Sequence, residues 1–148
     1  MAAHRSSPLM YLVAFPLLLV PFALYNMVAF LLGMEFNVRM FSVPLLSGKS
    51  MDINIGDLLI LLAVMLLYVE ILKSTRMSSK AIMDHVLSMI LFMAMTIEFI
   101  TVQSAATSTF LILLALSFVD VIGGFTVTIR TAQRDVEFQA VDKASGSM

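Results

Sequence analysis

Apolar residues fall along this chain in four long runs, and polar or charged positions gather in the intervals between them. Leu9 to Gly33 contains no charged residue, Asp57 to Lys73 is broken only by Glu70, 81–102 holds Asp84, His85 and Glu98, and 107–130 holds Asp120 before its closing Arg130. About 20 apolar residues cross a hydrocarbon core about 30 Å thick. The pattern therefore predicts an all-α membrane protein: a four-helix transmembrane bundle with helices at 9–33, 57–73, 81–102 and 107–130. One domain covers 1–139, and the small, polar residues at 140–148 read as a disordered cytoplasmic tail.

The interval 34–56 has a different period. Phe36, Val38 and Met40 alternate with Asn37 and Arg39, and Met51, Ile53 and Ile55 alternate with Asp52 and Asn54, the period of half-buried strands. Pro44 and the turn Ser47-Gly48-Lys49-Ser50 separate the two runs, so a short external β-hairpin-like loop is expected. Isolated hairpins are marginal in water, which predicts that this one rests on the bundle as a lid or on a partner. Elsewhere the turns are tight, and 103–106 makes the third and fourth helices antiparallel neighbours. Pro16 and Pro21 are expected to kink the first span.

Basic residues set the orientation. Arg5, then Lys73, Arg76 and Lys80, then Arg130, Arg134 and Lys143 fall on one side of a four-span topology, against Arg39 and Lys49 on the other. Cytoplasmic segments are enriched in Lys and Arg, so both termini and the 73–80 loop are expected in the cytoplasm. Arg5 ahead of an apolar run also suits a cleaved signal peptide. Such apolar regions, however, are about 7–15 residues long and end at a small-x-small site, whereas this run exits through Gly33-Met34-Glu35, so it reads as a retained helix.

Composition agrees with lipid as the solvent: 60% of residues are hydrophobic, 13% are charged and the mean hydropathy is +0.99. A net charge of -1 leaves no basic stripe to neutralise phosphates, which argues against nucleic acid as a partner. There is no cysteine, hence no disulfide, thiolate metal site or thiol nucleophile. Ser47-Gly48-Lys49-Ser50 resembles part of a phosphate-binding loop, but Val43 stands where the first glycine is required. Met89, Met93 and Met95 have the spacing of a soft-metal path, yet 13 methionines are spread through the chain as apolar filler. Ser88 lies near His85 without a nucleophile elbow. No cofactor, metal or catalytic residue is assigned, and the chain is not read as an enzyme.

The candidate chemistry lies in the carboxylates inside the runs. At about 1.5 Å per residue, Glu70 and Asp120 each lie about 20 Å from the outer end of their helices, with Ser88 and His85 at or just below that depth. Glu70, Lys73, His85, Ser88 and Asp120 are thus expected to form one intramembrane polar layer, with Lys73 as counter-ion. Each carboxylate costs about 2.5–3.5 kcal/mol on insertion scales and is expected to face the bundle interior. One reading makes the layer a proton or cation site with His85 as relay. The other makes it structural, with Glu70 paired to Lys73 and Asp120 hydrogen-bonded between helices; this second reading is preferred.

Glu98 stands apart near the outer end of the third helix, with Arg39 or Lys49 of the hairpin, or a partner subunit, as its expected cation. On the fourth helix Ala106, Thr109, Leu113, Ser117, Asp120 and Gly124 share a side with Gly123 adjacent, a small-residue stripe that points to Ser117, Gly123 and Gly124 as helix-packing positions.

Gly56-Asp57-Leu58-Leu59 through Glu70-Ile71-Leu72-Lys73-Ser74-Thr75-Arg76, then Asp84-His85 and Val119-Asp120-Val121-Ile122-Gly123-Gly124-Phe125, resemble a group of small, functionally uncharacterised four-span inner-membrane proteins of bacteria. The resemblance covers the second to fourth helices and implies a bacterial inner (plasma) membrane, with no activity attached. Small multidrug transporters, similar in size, rely on a carboxylate in the first helix, which this chain lacks. The expectation is an accessory or scaffold protein that forms a homo-oligomer or joins other membrane subunits in the lipid bilayer. The alternative is a small oligomeric proton- or cation-coupled channel or transporter using Glu70, His85 and Asp120.

Overall fold

The computed structural model describes residues 15–74 and 79–145. Arg5, positions 9–14 of the first expected span, Arg76 and the final residues 146–148 of the expected tail lie outside the described residues.

Helix α1 covers Leu19–Asn26 and continues as a wider π turn over Met27–Leu31, where the Leu32 N–H reaches the Met27 carbonyl at 3.1 Å. Positions 15–18 ahead of it are not helical, and positions 9–14 of the expected 9–33 span lie outside the described residues. Backbone bonds from Leu19 to Pro16 (3.1 Å) and from Val20 to Leu17 (3.0 Å) form a turn that feeds the helix. Pro21 then sits in the first helical turn, where no intrahelical N–H is needed. Pro21 thus falls in the first turn of α1 and Pro16 in the turn ahead of it, and neither interrupts a helix among the described residues. Gly33, at φ 58, ends the helix in the left-handed region that glycine enters freely.

Two antiparallel strands follow, β1 (Arg39–Pro44) and β2 (Ser50–Asn54), with Gly48 at φ 80 in the connecting turn. Pro44 does not separate the strands as expected; it closes β1 opposite Ser50. The hairpin is not a lid either. Every residue of β1 is exposed, and only the root of the hairpin is tied down, by bonds from the Ile55 and Gly56 amides to the Val38 and Phe36 carbonyls.

Helix α2 (Ile55–Ser74) leaves β2 without a linker, because Asp57 Oδ2 accepts the Asn54 N–H at 2.9 Å and caps its first turn. Helix α3 (Ser79–Thr101) returns, a 3₁₀ turn at Gln103–Ala105 reverses the chain, and helix α4 covers Ser108–Ser145. Hydropathy placed the end of this helix at 130 and a tail from 140. The backbone stays helical to Ser145, since 130–145 carries many good helix formers and contains neither Gly nor Pro.

Among the described residues three helices are long and apolar enough to cross a membrane, over Ile55–Ser74, Met83–Thr101 and Ser108–Thr126; Leu19–Leu31 is apolar but shorter. Their outward faces are apolar, with Leu61, Met65, Ile97, Ile100, Phe118 and Ile122 exposed. This is a helical membrane protein with a small antiparallel hairpin. Within the spans Thr96, Thr101 and Thr126 each return the hydroxyl to the carbonyl four residues back, which satisfies a polar group without leaving the helix.

Helix α4 is the central element, packed along both α2 and α3, and α1 lies against α2 and α4. The core at the hairpin end is aromatic. Phe110 meets the edges of Tyr25 (4.7 Å between centroids) and Phe22 (6.2 Å), and Phe99 stacks against it at 6.1 Å. Tyr25 also stacks on Phe36 at 4.2 Å, and its hydroxyl donates to the Ser104 carbonyl at 2.8 Å. That hydroxyl lies 2.7 Å from Thr107 Oγ1, which in turn caps α4 by accepting the Phe110 N–H.

Close approach of α2 to α4 depends on Gly56, where an added Cβ would lie 2.6 Å from Thr109 Oγ1 and 3.2 Å from the Phe36 carbonyl oxygen. Gly123 is different: nothing lies within 4 Å of the corresponding position, so within one chain it is not the packing residue that the stripe suggested. Gly56→Ala is expected to lower stability in detergent by about 1–3 kcal/mol, the usual range for overpacking, and Gly123→Ala to leave the thermal midpoint nearly unchanged.

Candidate functional site

Residues from α1, α2, α3 and α4 meet near the end of the bundle remote from the hairpin. Glu70 (4% exposed), Ser88 (3%) and Asp120 (5%) are buried there together with His85. The periodicity of each helix explains the convergence. Leu59, Ala63, Leu67 and Glu70 form the buried face of α2, and Thr109, Leu113, Ser117, Asp120 and Gly124 that of α4.

Glu70 is bound on both oxygens. Oε2 accepts the Leu17 N–H at 2.9 Å, and Oε1 accepts from Lys73 Nζ at 3.1 Å. The first bond ties the turn that leads into α1 to a carboxylate on a different helix. Lys73 also donates to the Phe15 carbonyl at 3.1 Å and pairs with Asp84 at 3.2 Å, so one ammonium ties α2 to α3 and to the chain leading into α1. Ser88 donates its hydroxyl to Asp120, which shares this layer with Asp84, His85 and Lys73.

Gly124 makes room for His85. A Cβ there would lie 2.3 Å from Cε1 and 2.4 Å from Nδ1 of the imidazole, whose other face is covered by Phe125 with ring centroids 5.8 Å apart. The structure thus brings together Glu70, Lys73, His85, Ser88 and Asp120, the residues that depth along the helices had placed at one level. Ser117, 1% exposed, and Gly124 line the same inner side of α4.

Three participants escaped the sequence reading. Leu17 and Phe15 act through their backbones and carry no side-chain signal. Asp84, left out of the expected layer, is half-buried beside Lys73, and its Oδ1 has no partner among the described residues.

Within the chain, Glu98 meets an amide and not a hairpin cation. Asn26 on α1 donates Nδ2 to Glu98 Oε2 at 3.4 Å and to its own Phe22 carbonyl at 3.3 Å. Glu98 Oε1 and Asn26 Oδ1 are buried without partners among the described residues. Arg39, one of the expected cations, pairs instead with Asp52 inside the hairpin at 3.5 Å. A neighbour on α1 was overlooked because that helix is uncharged; the signal available was Asn26 itself, the one side-chain amide in the run from Leu9 to Gly33.

At the hairpin end a cavity of about 700 Å³ opens between the 33–37 segment and the first turns of α2 and α4, lined by Glu35, Asn37, Asn54, Asp57, Ser104 and Thr107 among others. No group of three or more His, Cys, Asp or Glu side chains suited to a metal ion occurs among the described residues.

Removing one partner of a buried ion pair costs about 3–5 kcal/mol. Lys73 keeps 17% side-chain exposure and a second partner in Asp84. Glu70→Ala is therefore expected to cost about 2–3 kcal/mol in reversible detergent unfolding, and Glu70→Gln less, because an amide oxygen still accepts from Leu17. Gly124→Ala is expected to cost about 1–3 kcal/mol by displacing a ring packed on both sides, measured in the same way. No family model, curated protein or solved structure matches this chain.

Proposed function

We propose that this chain is a small integral membrane accessory or scaffold protein, working as a homo-oligomer or among other membrane subunits, with no catalytic reaction of its own. The observation that supports the reading best is the internal use of the polar layer. Both oxygens of Glu70, the Lys73 ammonium and the Ser88 hydroxyl are engaged within the chain, joining four helices rather than lining a conduit. Buried polar groups of this kind hold membrane helices together. The proposal includes four crossings, with α1 and the residues before it as the first, both termini cytoplasmic, and a bacterial inner membrane as the location. Those termini then share a side with the helical extension of α4 beyond Thr126, which at about 1.5 Å per residue reaches nearly 30 Å past the span and gives a partner something to hold.

A second reading, a proton- or cation-coupled channel or transporter, draws on the burial of His85 and Asp120 in one layer and on one oxygen each of Asp84, Asn26 and Glu98 that has no partner among the described residues. Reconstituted liposomes separate the two. The scaffold reading expects proton and alkali-cation flux equal to that of protein-free vesicles, unchanged in the Glu70→Gln, Asp120→Asn double variant, while extraction into native nanodiscs recovers assemblies larger than one chain. Flux well above background that the double variant abolishes would establish the transporter instead.

A further inference from the structure

The hairpin segregates its side chains more completely than its sequence alternation predicts. Cross-strand partners are Phe41 with Ile53, Val43 with Met51, Ser42 with Asp52 and Pro44 with Ser50. Since successive strand residues point to opposite faces, Phe41, Val43, Met51 and Ile53 share one face, and Ser42, Ser50, Asp52 and Asn54 share the other. By strict alternation Arg39 would fall on the apolar face with Phe41. A bulge between Arg39 and Phe41 shifts the register, so that Arg39 stands opposite Asn54 and pairs with Asp52, to which Ser42 also donates. The turn then adds Leu45 and a fully exposed Leu46 beside Lys49.

The bundle leaves most of this apolar face uncovered, with Phe41 and Met51 about half exposed. A two-stranded hairpin needs such a face to be covered. We propose that the hairpin is an interfacial membrane anchor: Phe41, Val43, Met51, Ile53 and the two turn leucines lie in the headgroup–acyl boundary of the leaflet on the hairpin side, with Lys49 reaching lipid phosphate.

Three observations select lipid as the occupant. The first is continuity. β2 passes into α2 with no linker, and the Val38 and Phe36 carbonyls bind the first amides of that helix, so the hairpin root adjoins the apolar outer surface that starts at Leu58, Leu61 and Leu62. The second is size. A stable protein interface uses about 20–30 residues a side, whereas this face offers four strand residues and two leucines; an interfacial element requires only an apolar face and a polar back. The third is charge. Lys49 is a single cation at the apolar turn, where a long side chain buries its methylenes and keeps its ammonium among phosphates, and Arg39 is neutralised on the far face. The inference extends the membrane assignment and does not depend on the scaffold role.

The chain has no tryptophan, so a single introduced indole reports its own surroundings. Phe41→Trp and Leu46→Trp probe the apolar face and the turn, and Ser50→Trp the polar face; Leu46 is fully exposed, so that variant disturbs no packing in the fold. Each is placed in nanodiscs holding one chain, with phosphatidylcholine brominated near the headgroup end of its acyl chains, and titrated separately with aqueous iodide. The anchor predicts strong bromolipid quenching of the indole in both Phe41→Trp and Leu46→Trp, with iodide quenching at least two-fold weaker than for Ser50→Trp. Iodide quenching equal in all three variants, with no effect of bromolipid, would overturn it and place the hairpin in water. Protection from iodide that arises only in discs holding two chains would also overturn it, by assigning the face to a second copy.

Discussion

A carboxylate bound at once to the turn that leads into one helix and to a lysine on its own helix is the constraint on which the bundle depends. A hydrocarbon medium offers no partner to a free backbone N–H, and the Leu17 amide in the turn ahead of α1 is such a donor. Glu70 supplies an acceptor there, and Lys73 compensates the charge that this acceptor brings into the bundle. Because Lys73 also holds Asp84 and the Phe15 carbonyl, α2, α3 and the chain preceding α1 are fixed around a single ammonium. Dispersion packing between apolar helices in lipid is not strongly directional, and such a junction gives register to helices that would otherwise slide.

The two ends of the bundle solve the same problem with different chemistry. Remote from the hairpin, ions and a hydroxyl pair across helices, and Gly124 leaves the volume that the His85 ring fills. Near the hairpin, rings do most of the packing, and hydroxyls and carbonyls join the Asn26 amide and the Glu98 carboxylate as the polar groups. Tyr25 connects the two modes of that end: its ring stacks on Phe36, while its hydroxyl holds the turn between α3 and α4 through Ser104 and Thr107. Asn26, the next residue, carries the amide that reaches Glu98. Helix α1 is therefore the shortest of the four and the one whose side chains and backbone meet polar partners at both ends. These contacts explain how a helix of modest length is retained against three longer ones.

Much of this was legible in the chain, and the parts that were not share a cause. Hydropathy located α2, α3 and the start of α4 to within a few residues, and counting residues along them put Glu70, His85, Ser88 and Asp120 at one depth, because helical rise is constant and the spans run antiparallel. Helix ends were less accessible. Pro16 and Pro21 read as interruptions, whereas among the described residues the backbone places one ahead of the helix and the other in its first turn. The partner of Glu98 was missed because a search for counter-charges passes over a neutral amide. Gly123 and Gly124 are adjacent and equivalent by composition, yet rotation of about 100° per residue turns one toward His85 and the other toward open space.

The sequence by itself determined the solvent, the helical spans, the depth of each buried acid and the presence of a hairpin, since these follow from local composition and from two fixed periods. Tertiary structure alone decided which acceptor meets which donor: Glu70 with the Leu17 amide, Asn26 with Glu98, the His85 ring with the space above Gly124, and Arg39 with Asp52 across a bulge. Those pairings depend on the rotation of each helix about its axis and on a register shift of one residue, quantities that contacts between distant parts of the chain set and that no stretch of sequence specifies alone.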